Sequence, residues 1–236
     1  MIQDYVAIDL ETTGTNPATD KIIEIGAAKV VNGVIVDTYA TFVNPQIPIS
    51  YRISQITGIH DEDVCNAPVI AEVIADVLAY TEGMPLLGHN VSFDYSFLKK
   101  AAVNSKLTFE REAIDTLKIA RRVVPDLEHK TLSYLCAHFG IDPGNSHRAL
   151  DDAISAKKVY DVLHELNAQD SGFQQAVQMN YSVKRDTPIT PAQTSYLTKL
   201  IQYHQITIEK PVNQFTKSEA SRMIDRILSE RGKIIY

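Results

Sequence analysis

Tryptophan is absent from this 236-residue chain, and cysteine occurs only twice, at Cys65 and Cys136. Two cysteines exclude a disulfide-built scaffold and a thiolate metal centre, and they suit a reducing compartment. No apolar run approaches the length that spans a bilayer. The opening MIQDYVAIDLETTG lacks the basic stretch and apolar core of an export signal, so a cytoplasmic setting without a membrane is expected. Internal repeats and low-complexity tracts are missing as well. Positive charge is in short supply: 23 Lys and Arg face 29 Asp and Glu, a net of −6. That balance excludes a protein that coats nucleic acid through overall basicity. It leaves room for an enzyme that handles nucleic acid at one local site. The chain is 44% hydrophobic and 22% charged, the composition of a globular protein with one sizeable core and a small appendage.

Charge is unevenly spread. Residues 182–236 hold nine Lys and Arg against five Asp and Glu, while residues 1–181 carry a net of −10. The change falls at SVKRDTPITPAQ (182–193), where prolines and threonines interrupt the regular patterns. The expected organisation is a first domain over 1–172, a linker over 173–189 and a small helical domain over 190–236. Thr190-Pro191-Ala192-Gln193 and Thr216-Lys217-Ser218-Glu219 each have the form of a reciprocal helix cap. Ala220, Met223, Ile224, Ile227 and Leu228 then form an apolar stripe that Gly232 ends. Lys199, Lys210, Lys217, Arg222 and Arg226 are candidate accessory contacts to nucleic acid, and Tyr196 and Tyr203 to a protein partner. A solvated helical face is the other reading of the same charges.

In the first domain, Tyr5–Leu10, Ile22–Val31 and Ile35–Val43 read as strands, with Asn32-Gly33 as the hairpin turn between the last two. Residues 45–60 read as irregular. A helical pattern starts at Pro68, followed by a short buried strand at Pro85–Gly88 and a helix carrying Phe93, Phe97 and Leu98 on one side. Ala113–Leu117 reads as another strand, Thr131–Phe139 as a helix stopped by Gly140, and Leu150–Leu166 as a long final helix. Strands first and helices alternating afterwards predict a mixed sheet covered on both sides.

Asp9 and Glu11 point to the same side of the first strand, at its carboxyl end. Paired carboxylates repel one another unless a cation sits between them, although an acidic strand end in solvent would look the same. Two further acidic segments stand at junctions: HNVSFD (89–94) between a strand and a helix, and HRALDDA (147–153) at the start of the long helix. The second places Asp152 in the first helical turn and His147 on the loop before it.

Together, DLETTG (9–14), HNVSFD and HRALDDA resemble the three motifs of the DEDDh superfamily of 3′→5′ exonucleases, which includes the proofreading epsilon subunits and exonuclease domains of bacterial DNA polymerase III. The resemblance spans about residues 3–168. Beyond it, TKSEASRMID weakly resembles small helical modules appended to bacterial and phage proteins. The resemblance implies an RNase H-like α/β fold with a five-stranded mixed sheet flanked by helices, followed here by a small C-terminal helical domain. It assigns Asp9, Glu11, Asp94 and Asp152 as the acidic metal-binding set and His147 as the general base. The family spacing selects Asp152 over Asp151, and leaves Asp115 structural.

The implied reaction is hydrolysis of the terminal phosphodiester of single-stranded or frayed DNA from its 3′ end, releasing nucleoside 5′-monophosphates, in proofreading or repair. Hard oxygen donors favour two Mg²⁺ or Mn²⁺ ions, with Asp9 bridging, Glu11 and Asp152 completing the first site, and Asp94 holding metal-bound waters or contributing a ligand. Histidine titrates near neutrality, as a base requires. Leu10, Thr12, Ile56, Thr57, Gly58 and Ile59 are expected around the terminal nucleotide, and Asn90 and Phe93 at the next. Expected partners are DNA 3′ ends and DNA polymerase III or another replication or repair protein. An exoribonuclease of the RNase T or oligoribonuclease kind, and a catalytically silent nucleic-acid-binding or polymerase-associated scaffold, are the alternatives.

Overall fold

Alternation along the first strand decides the layering. In a computed structural model, which describes residues 1–145, 147–208 and 210–234, β1 (Tyr5–Thr12) sends Val6, Ile8 and Leu10 into one hydrophobic cluster. Tyr5 and Ala7 enter a second cluster on the opposite face. β2 (Ile22–Val31) and β3 (Val34–Phe42) follow as an antiparallel meander. Asn32 and Gly33 both take positive φ, 51° and 77°, as the two-residue hairpin turn requires.

Two short helices, α1 (Tyr51–Thr57) and α2 (Asp61–Val64), occupy the stretch expected to be irregular. Seven and four residues are too few to show a helical period. α3 (Ile70–Tyr80) and α4 (Ser92–Asn104) cover the first face, with β4 (Leu86–Gly88) between them pairing parallel to β1. β5 (Glu112–Asp115) lies parallel to β4. α5 (Thr116–Val123), α6 (Leu132–Phe139) and α7 (Ala149–Leu166) cover the second face.

The sheet has six strands among the described residues, in the order β3-β2-β1-β4-β5-β6, where five were expected. The sixth, β6 (Val177–Gln178), adds two antiparallel pairs to β5 and is too short to carry an alternation signal. Phe173 just before it is fully buried, its ring 5.2 Å from that of Tyr160. The segment expected to open the linker is therefore part of the sheet domain. The chain divides into two compact units, Met1–Val183 and Lys184–Tyr236.

The second unit consists of α8 (Pro191–Tyr203) and α9 (Lys217–Arg231), each opened by the capping box read in the sequence. Leu197, Leu200, Phe215, Ala220 and Ile227 form its own core. Among the described residues, no helix is long and apolar enough to cross a membrane.

Candidate active site

At β1 the sheet changes from antiparallel to parallel pairing, and the crevice at the carboxyl ends of the strands opens there. Alternation puts Asp9 and Glu11 on the Tyr5 side of β1, the face covered by α7. The β1–β2 register shifts between Glu11 and Thr12, a bulge at the rim of the site. Pairing of β4 with β1 stops at Ala7, and beyond it the Leu10 N–H donates to Asp94 Oδ1 at 3.0 Å. Asp94, buried in the first turn of α4, is thereby tied to the residue that stands between the two β1 carboxylates in sequence.

α7 brings the fourth carboxylate. Gly26 on β2 pairs with Asp9, and a Cβ at that position would lie 2.0 Å from Leu150 N and 2.2 Å from Ala149 C. Only glycine allows the helix start to approach the strand so closely. Asp152 in that first turn accepts the His147 N–H at 3.0 Å through Oδ2. His147 is exposed and takes a left-handed φ of 64°. One ligand atom from each of Glu11, His147 and Asp152 lies within 4.8 Å of the others.

Burial first, and like charge second, raises the proton affinity of the four carboxylates. Burial, then Asp94, Asp152, Glu11 and Glu24, pushes the Asp9 carboxyl well above the usual range. Burial pushes Glu11 up to about 8, with Asp152, Glu24 and Asp94 adding to it and Arg148 opposing. Burial also raises Asp94, against two backbone hydrogen bonds, and raises Asp152 against the His147 N–H. Arg148 and His147 offset only part of this repulsion. A divalent cation supplies what these oxygen donors need to stay ionised together, so the residues fit such an ion.

The expected nucleotide contacts divide. Leu10 buries its side chain in the core, because alternation turns it away from Asp9, and Asp94 takes its N–H. Thr12 is buried and its hydroxyl donates to Gly14 O at 2.6 Å, tying the turn. Thr57 is buried, donating to Ile53 O at 3.0 Å and accepting from Ile59 N at 3.1 Å. Ile59 packs in a core cluster with Ile23, Ile49 and Val64, so its side chain is no platform for a base. Ile56 is exposed, and Gly58 caps α1 in the left-handed conformation. Asn90 is exposed, its N–H on Asp115 Oδ1 at 3.1 Å, and Phe93 lies half-buried with its ring 5.0 Å from that of Phe97. Asp115 also accepts from Leu117 N at the start of α5, a structural role. Asp151 accepts the Asn145 N–H at 2.9 Å and so anchors the loop before α7. In the second unit, Lys199, Lys217 and Arg226 are exposed and Arg222 is half-buried. Lys210 sits 3.0 Å from Glu219 and over the Phe215 ring, which engages its charge within the unit.

Sequence reasoning missed Glu24 and Arg148. Glu24 lies opposite Glu11 in the β1–β2 register, with a side chain only 5% exposed. Its signal was present: an acid in the middle of the apolar run IIEIGAAKVV needs a buried partner.

A mixed sheet with this strand order, carboxylates gathered at the carboxyl end of β1 and a histidine on the facing loop are the architecture of an RNase H-like fold. The exonuclease family described as RNase_T matches residues 6–160. DNA polymerase III of the PolC type from Caldanaerobacter subterraneus subsp. tengcongensis is 37% identical over 200 residues, 84% of this chain and 14% of that protein. Among solved structures, exonuclease X in complex with 5′ overhanging duplex DNA is 27% identical with a TM-score of 0.56, covering 70% of this chain and 93% of that one. The nuclease domain of 3′hExo, a DEDDh family member bound to rAMP, shares the fold with a TM-score of 0.60 at 24% identity, over 77% of this chain and 98% of that one. The chain belongs to the RNase_T exonuclease family. It spans about a seventh (14%) of the length of the PolC-type relative.

Proposed function

We propose that the chain is a divalent-metal-dependent 3′→5′ exonuclease that removes nucleotides from single-stranded or frayed DNA ends, in replication proofreading or repair in the cytoplasm. The observation that carries this reading is the gathering of Asp9, Glu11, Asp94, Asp152 and His147 from three separate segments around the end of β1. PolC-type relatives support a partnership with the replication machinery, and the neighbour bound to overhanging duplex DNA supports DNA as substrate.

Asp9, Glu11, Asp94 and Asp152 would hold two Mg²⁺ or Mn²⁺ ions. Bound there, the cations supply charge stabilisation for the transferring phosphoryl group and the departing oxygen. His147 takes the proton of the attacking water on a ring nitrogen as the water oxygen bonds to phosphorus. The bond from phosphorus to the 3′ oxygen of the preceding nucleotide breaks, leaving a nucleoside 5′-monophosphate and a shortened chain with a 3′-hydroxyl. Asp94 holds β1 in place through the Leu10 N–H. Exposed Ile56, Gly58 at the helix end, Asn90 and half-buried Phe93 are the contacts available to the last two nucleotides. Lys199, Lys217, Arg222 and Arg226 offer accessory phosphate contacts from the second unit.

The test is degradation of end-labelled oligonucleotides as single-stranded, mismatched and paired DNA and as matched RNA, with Mg²⁺ or Mn²⁺. Single-stranded and mismatched DNA should be shortened from the 3′ end, and Asp9→Ala should abolish cleavage while the protein stays folded. Preferential degradation of RNA would move the enzyme to the exoribonucleases. Undiminished turnover in Asp9→Ala would remove the carboxylate assignment.

A further inference from the structure

His147 takes a left-handed backbone, φ 64°, a conformation that costs a residue other than glycine some strain, and ties on both sides of it hold it there. One tie is its own N–H on Asp152 Oδ2. The others lie on the next two residues. Arg148 Nε and Nη2 donate to Glu24 Oε1 at 3.2 and 2.9 Å, and the Ala149 N–H donates to Glu24 Oε2 at 3.2 Å. The guanidinium also lies over the Phe42 ring, 4.8 Å from its centroid. Glu24 thus uses both carboxylate oxygens to clamp the chain immediately after His147. Because Glu24 stands opposite Glu11 in the strand register, the clamp ties the histidine loop to the strand pair that carries Asp9 and Glu11.

We propose that Glu24 and Arg148 form a latch that positions His147 against Glu11 and Asp152, making both positioning residues of the hydrolytic reaction. The proposal rests on His147 acting as the base. Glu24 and Arg148 also border an open cavity of about 680 Å³, together with Thr57, Gly58, Asn145 and Asp151. A direct contact between either side chain and substrate is therefore the rival explanation for any effect of changing it. The two differ in kinetics: a latch acts on turnover, a substrate contact on KM.

The full chain is assayed on a labelled single-stranded oligonucleotide with Mn²⁺, as Glu24→Gln, Arg148→Met, Arg148→Lys, His147→Ala and the double variant Arg148→Met/His147→Ala. Glu24→Gln and Arg148→Met should lower kcat by about a hundredfold at saturating Mn²⁺, the scale of a small misplacement at a reacting group, with KM for the oligonucleotide unchanged. Arg148→Lys should recover part of the loss. The double variant should be no slower than His147→Ala alone, because the latch acts only through the histidine. Glu24→Gln keeps the shape and one acceptor oxygen, and melting curves confirm that each variant compared is folded. Losses that multiply in the double variant, or that fall on KM, overturn the latch while leaving the base in place. Wild-type kcat in His147→Ala overturns the base and the latch together.

Discussion

Glu11 binds its proton up to about pH 8 in the folded protein, whereas a glutamate in an unfolded chain releases it near 4.3. Between those values the folded state holds a proton that the unfolded state has lost, so metal-free stability must fall as pH rises through that window. Asp9, Asp94 and Asp152 are shifted the same way and steepen the loss. The metal-free protein should therefore melt at a lower temperature near pH 8 than near pH 5. An ion that binds only the folded state at a hundred times its Kd restores about 2.7 kcal/mol. Calorimetry with and without Mn²⁺ should show the larger rescue at the higher pH; a metal-independent profile flat in pH would remove the account of the cluster. His147 poses a separate question, since its ring nitrogen lies within ligand range of Glu11 and Asp152. As the base, His147→Ala should lower kcat by about 10²–10⁴-fold and leave Mn²⁺ affinity intact. A parallel loss of affinity would make it a ligand.

The elements that hold these residues were legible to different depths. β1, β2 and β3 followed from alternation and the Asn32-Gly33 turn, and α8 and α9 from their capping boxes, because each signal is local and repeats along the element. α1, α2 and β6 were not, being shorter than one readable period. The three acidic motifs pointed to Asp9, Glu11, Asp94, Asp152 and His147, and the alternation that pairs Asp9 with Glu11 also turns Leu10 to the core, yet nothing local shows that Ile59 belongs to another cluster. Gly26 was the least visible, since its role depends on a helix more than a hundred residues away in sequence. Its Cβ would meet backbone atoms of Ala149 and Leu150, which cannot rotate aside as a side chain would. Gly26→Ala should destabilise the first unit by about 3 kcal/mol, at the upper end of overpacking costs, and should reduce activity by displacing Asp152 and His147 from β1. Urea unfolding measures the first effect and oligonucleotide cleavage the second. A variant with wild-type stability would mean that α7 can shift without harm.

Charge at the scale of the whole molecule looks opposed to nucleic acid, with a net of −6. The two units reverse that impression. The acidic unit gathers four of its carboxylates in one cluster, and two divalent ions there would offset that charge and remove the repulsion a phosphate would otherwise meet. The second unit carries nine basic residues against five acidic ones. Of the five named as candidates for phosphate contact, Lys210 is engaged with Glu219, which leaves Lys199, Lys217, Arg222 and Arg226. Contact with single-stranded DNA releases counterions, and each neutralised phosphate adds about 0.7 to the slope of log affinity against log salt. Replacing those four side chains by glutamine in the full chain should flatten the slope by up to about 2.8 and weaken binding most at low salt. The measurement is fluorescence anisotropy of a labelled oligonucleotide in Ca²⁺ or EDTA across a salt series. An unchanged slope would make the basic face a solvated surface and leave DNA binding to the metal site alone. A slope that drops by the full amount would mean that all four side chains of the second unit contact phosphate.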